Sequence, residues 1–149
     1  MAFPTADYDL KEKNDLPSPL HGGAVQLVRF SKAITTAMLA SGIVTRLGTL
    51  PAGSRIVGGY AEATDMDTGG SPALAIDIGY KDASASVDDV DGILDGATIG
   101  QAGGLSTTFL TAGVDRQFTY ETDITFTAAT AAATAAAGTF TLGLFVVLP

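Results

Sequence analysis

The chain has 149 residues, 46% of them hydrophobic and 16% charged, a balance that points to one folded domain and argues against disorder over most of the length. With 8 Lys and Arg against 16 Asp and Glu the net charge is −8, which speaks against nucleic acid as a partner, because a phosphate backbone is bound by clustered cations. The sequence contains no Cys, so neither disulfides nor thiolate–metal sites contribute to its stability.

Residues 1–23 differ from the rest. A charged cluster (Asp7, Asp9, Lys11, Glu12, Lys13, Asp15) is followed by Pro17, Pro19, Gly22 and Gly23. Each Pro fixes its own φ and restricts the residue before it to extended backbone. The segment therefore reads as an extended N-terminal arm, distinct from a β-sandwich domain over 24–149; a disordered tail is the alternative. No basic stretch leads into an apolar run, so no signal peptide is expected. Phe3, Tyr8, Leu10, Leu16 and Leu20 are spaced too thinly to build a core of their own, and are candidate assembly contacts that fill pockets on a neighbouring subunit. His21, the only His, lies in this arm, a poor support for a catalytic base.

From Ala24 onward, period-two alternation dominates, which is the strand signal. Weaker candidate strands cover 24–31, 32–39, 43–49, 54–64 and 105–111. Leu74, Ile76, Ile78 and Tyr80 alternate with Ala75, Asp77 and Gly79. Phe118, Tyr120, Ile124 and Phe126 share one predicted face, opposite Thr119, Glu121, Asp123 and Thr125. Phe140, Leu142, Leu144, Val146 and Leu148 alternate too, but Phe145 and Val147 add apolar character to the other face. That last strand is expected to be central or covered by a partner. At ten residues, 139–148 is about half the length of a membrane-spanning helix, and no membrane partner is expected. Turn signals recur at Ser41 and Gly42, Pro51 to Gly53, Thr68 to Pro72, and Ala112 and Gly113. The fold class expected is all-β: an antiparallel β-sandwich, jelly-roll-like, of about eight strands.

Two stretches break the rhythm. Ser86 followed by Asp88 and Asp89 resembles a capping box, predicting one short helix over 87–94 that ends at Gly96. The run 128–137 holds eight Ala and two Thr and has no amphipathic stripe, so between two strong strands it reads as a long hairpin tip.

Catalytic and binding motifs are missing. No nucleophile elbow, phosphate loop or metalloprotease string occurs, so the chain is not expected to be an enzyme and no cofactor is expected. Asp82, Asp88, Asp89, Asp91 and Asp95 invite a calcium reading. Aligning Gly92 with the glycine of a calcium loop, however, puts Val87 at the first ligand and Thr98 where a Glu belongs. A solvated acidic loop fits better. Gly96, Gly100, Gly103 and Gly104 have no basic residue near them and are expected to permit positive φ in an irregular connection. A sugar site usually presents exposed aromatics, and Trp is absent.

The strings IVTRLGTLPAGSRIVGGY (43–60), LAIDIGY (74–80) and DGILDG (91–96), with the Ala/Thr/Gly run leading into TFTL (139–142), resemble small virion proteins of tailed bacteriophages. The resemblance covers 43–149 and implies a capsid decoration, or cement, protein on the outer surface of the shell. Its partners would be the major capsid protein and copies of itself, commonly as a homotrimer. Tail, neck and head-fibre components share such sandwiches, as do glycan- or receptor-binding modules, and these are the alternatives. An acidic module is repelled by packaged DNA, which independently favours the outside of the shell.

Overall fold

The structure, a computed structural model, describes residues 24–84 and 88–149. Eight strands follow in chain order: β1 (Val25–Ile34), β2 (Val44–Leu50), β3 (Arg55–Ala63), β4 (Ala75–Asp82), β5 (Asp88–Ala97), β6 (Gly104–Ser106), β7 (Thr122–Thr130) and β8 (Gly138–Val147). They form two four-stranded antiparallel sheets, β1-β8-β3-β6 and β2-β7-β4-β5. First pairs with last, second with seventh, third with sixth and fourth with fifth. The chain is a doubled-over ribbon rolled so that its ends lie side by side, which is the jelly roll.

Alternation explains the core. Leu142, Leu144, Val146 and Phe140 of β8 face Ile124, Phe126 and Ala128 of β7 and Ile76 and Ile78 of β4, all buried. Phe126 and Phe140 meet edge-on across the sandwich, 5.1 Å between centroids. At one open side Phe30 occupies the space that a Cβ on Gly48 would need, so β1 and β2 close there. Gly79 serves a similar purpose, since a Cβ on it would collide with the β5 backbone at Asp89 and Val90. Gly79→Ala is expected to cost about 1–3 kcal/mol by overpacking, visible as a lower urea midpoint with an unchanged slope.

The eight-stranded sandwich agrees with the sequence; several local expectations do not. Residues 88–97 are strand β5, not the C-terminal part of a helix over 87–94. A capping box contributes about 1 kcal/mol, whereas pairing with β4 completes a hydrogen-bonded ladder and buries Ile93 and Leu94. Ser86 and Val87 lie outside the described residues. The two weak candidates 24–31 and 32–39 are one ten-residue strand ended by a single 3-10 turn, Thr36–Leu39. Candidate 105–111 shrinks to three paired residues, after which Phe109 folds onto the core. β7 starts at Thr122, so Tyr120 does not share the buried face of Ile124 and is 48% exposed, while Phe118 is buried against Tyr80.

The run 128–137 is not a hairpin tip. Ala128 to Thr130 end β7, and 131–137 cross to β8 in the other sheet. Asp67 fastens this crossing. Its carboxylate accepts the N–H of Ala133 (3.0 Å) and Thr134 (2.7 Å), and also those of Ala73 (2.7 Å) and Leu74 (3.0 Å). One buried side chain thus binds two loops together. Burial by itself pushes the Asp67 carboxyl up; the N–H groups of Thr134, Ala73, Ala133 and Leu74 outweigh it and hold the group well below the usual carboxylate range. Gly69 supports the arrangement, because a Cβ there would press on the Thr134 hydroxyl at 2.8 Å.

Candidate interaction surface

The pockets described are shallow. One, about 250 Å³, lies between Lys81, Asp82, Ala83, Glu121 and Asp123. Another, about 120 Å³, is lined by Asp82, Arg116, Gln117, Phe118, Thr119, Tyr120 and Thr122. Both fall below the roughly 300–1,000 Å³ of an ordinary small-molecule site.

The polar clusters are structural in geometry. The Tyr80 hydroxyl donates to Asp89 Oδ2 (3.2 Å) and accepts from Arg116 Nη1 (3.1 Å), while the Arg116 guanidinium lies 5.0 Å from the Tyr80 ring centroid. Burial raises the Tyr80 pKa, with the Arg116 charge opposing and Asp89 adding to the rise, so the phenol stays protonated and serves as a clamp for the loop before β7. In the acidic stretch the Asp91 carboxyl is raised, chiefly by its hydrogen bond to Asp89 and then by burial. Asp77 is raised by burial against the opposing N–H of Gly96 (2.8 Å), with Asp95 adding repulsion. Among the described residues no group of three His, Cys, Asp or Glu side chains is placed to hold a metal ion. Of the four glycines expected to permit positive φ, Gly96 and Gly103 adopt it, at 61° and 76°, whereas Gly100 and Gly104 do not.

The outer faces of the two sheets differ in kind. On β2-β7-β4-β5 the outward side carries ion pairs, Arg46 with Asp123 (3.7 Å) and Lys81 with Asp88 (3.6 Å), among threonines. Its exposed valines, Val44 and Val90, lie on opposite edge strands.

On β1-β8-β3 residues directly opposite one another share a face. The first outward row is Val25, Val147 and Arg55; the second is Leu27, Phe145 and Gly58; the third is Arg29, Gly143 and Tyr60; the fourth is Ser31, Thr141 and Glu62. Val57 sits in the irregularity beside the second row. Val25 is 57% exposed, Leu27 53%, Phe145 41% and Val57 39%. The face therefore grades from apolar at the start of β1 to polar at its end, with Arg29 and Arg55 bordering the apolar part. The Tyr60 ring lies over Gly143, where a Cβ would strike it. Four large apolar side chains exposed together are uncommon on a monomer surface and mark an interaction site.

This surface was only half legible in the sequence. Phe145 and Val147 signalled a second apolar face on the last strand, and β8 is indeed central. Val25 and Leu27 carried a signal too weak to link to them without the β1–β8 register. The assembly contacts expected at Phe3, Tyr8, Leu10, Leu16 and Leu20 lie outside the described residues, as does His21.

No family model and no curated protein sequence matches the chain. Among solved structures, a chain in the capsid of Ralstonia phage GP4 superposes with a TM-score of 0.75 at 28% identity, covering 89% of this chain and 90% of that one. A chain in the capsid asymmetric unit of cyanophage Pam1 gives a TM-score of 0.73 at 27% identity, covering 90% of this chain and 91% of that one. The likeness supports a structural protein of the phage virion. No helix among the described residues is long and apolar enough to cross a membrane.

Proposed function

We propose that this protein decorates the outside of a tailed-phage capsid and stabilises the shell by contacts alone, as a cement protein. The observation that carries the reading is the end-to-end likeness to capsid chains. Each neighbour is covered over about nine-tenths of its length, as this chain is, which supports reading the match as one small module. A sandwich with shallow pockets and one apolar outer face suits binding by surface. The net charge of −8 suits the side of the shell away from packaged DNA.

In this reading the partners are the major capsid protein and further copies of the chain, assembled as a homotrimer, and residues 1–23 form the assembly arm. Binding to bare capsids is expected to be stoichiometric and to raise their heat resistance, because a ligand of the intact shell stabilises it by mass action. Failure to bind, or glycan binding by the purified protein, would count against it. Phe145→Glu should leave the domain folded, the side chain being outward, and weaken association about tenfold or more, read by sedimentation of protein with capsids. Deleting residues 2–22 should leave a folded sandwich that binds capsids far more weakly. Binding as tight as that of the full chain would reduce the segment to a tail.

A further inference from the structure

A sheet edge offers unpaired N–H and C=O groups to any extended chain, and folded proteins usually blunt such edges. Three of the four edges here are blunted. β6 is three residues long. β2 breaks register between Arg46 and Gly48. β5 shifts register on both sides of Ile78 and carries Asp88, Asp89, Asp91 and Asp95. β1 is different: it runs ten residues, pairs with β8 in unbroken register, and has no strand on its other side among the described residues. Its second half leans on β2, through Phe30 at Gly48 and Lys32 Nζ donating to the Arg46 carbonyl (3.0 Å). Its first half is left open, with Val25, Gln26, Leu27 and Arg29 all exposed and the apolar rows of the outer face beside it.

We infer that the first half of β1, residues 25–29, is the receiving edge for residues 1–23 of a second copy, which add a strand there. The inference rests on the assembly-arm reading and deepens it by naming the receiver. Three features choose this occupant. The segment contains an alternating stretch, Asp7, Tyr8, Asp9, Leu10, able to set Tyr8 and Leu10 on the side of Val25 and Leu27. Pairing β1 with another β1 in register about Arg29 would set Arg29 against Arg29, which disfavours a second β1 as the occupant. Finally, the segment joins the chain at the start of β1, and 23 extended residues reach about 75 Å, enough to cross to a neighbour. Folding back on its own β1 would need a loop from Lys11 to Ala24 containing two prolines, longer than compact domains ordinarily use.

The absence of native Cys makes the test unambiguous. Full-length chains carrying Leu10→Cys and Leu27→Cys separately are mixed at concentrations where the protein associates, then treated with a short bismaleimide. A covalent heterodimer that forms only when both variants are present is expected. Amide exchange over 25–29 is expected to slow about tenfold or more on association, with β2 and β5 unchanged, and Tyr8→Asp with Leu10→Asp should abolish the slowing. Cross-linking within a single doubly substituted chain at high dilution, or no cross-link in the mixture, overturns the inference. Intact capsid binding beside a failed cross-link leaves the decoration reading standing; a cross-link with lost capsid binding does the reverse.

Discussion

Replacing Ile124 by Asp is expected to unfold the sandwich, with a loss above about 4 kcal/mol against the 5–15 kcal/mol that holds a typical domain together. Ile124 is fully buried in β7, paired with Tyr80 of β4 on one side and Gly48 of β2 on the other. A carboxylate there would face the apolar layer between the sheets with no cation or donor to receive it. The expected readout is loss of the cooperative thermal transition and of near-ultraviolet dichroism. One residue away, Asp123 faces outward, accepts from Thr49 Oγ1 (2.7 Å) and pairs with Arg46. Asp123→Asn should therefore change stability by less than about 1 kcal/mol. The pair of substitutions tests the alternation of β7 directly, since a one-residue slip would exchange the two outcomes.

Asp67→Ala should be the most damaging substitution of any polar residue described. Four backbone N–H groups from two loops converge on its carboxylate, and truncation deprives all of them of their acceptor, that of Leu74 in a buried position. Asn restores one acceptor oxygen but turns an amide donor toward other donors, so Asp67→Asn should recover little. Differential scanning calorimetry would show the drop in Tm, and hydrogen exchange should localise it to 73–74 and 133–134. The acid response is equally specific. The folded-state pKa lies below the unfolded value of about 3.9, so the contribution of Asp67 is complete above that value and is lost as pH falls below it toward the folded pKa. The difference in stability between wild type and Asp67→Ala should therefore shrink through that acid window. Asp77 and Asp91, whose carboxyls are raised, act in the opposite sense and are common to both proteins.

Periodicity carried much of this fold, because a half-buried strand writes its buried face into every second residue. β4, β7 and β8 lie between other strands, and Ile76, Ile78, Ile124, Phe126, Leu142 and Leu144 were therefore legible. The edge strands were not. β1 buries little of either face, β5 bends through two irregularities, and β6 is too short to show a period, so local signals such as the Ser86 capping box prevailed where only pairing with β4 could decide. The Ala-rich run set no conformation by itself. Whether it turned back as a hairpin or crossed between sheets depended on Asp67, sixty-six residues before Ala133, whose role required four donors to be brought to it. The outer apolar face has the same origin. Sequence determined that β8 has two apolar sides. Only the register of β1 and β3 against it put Val25, Leu27 and Val57 beside Phe145, because a surface patch is a property of neighbouring strands and no single strand encodes it.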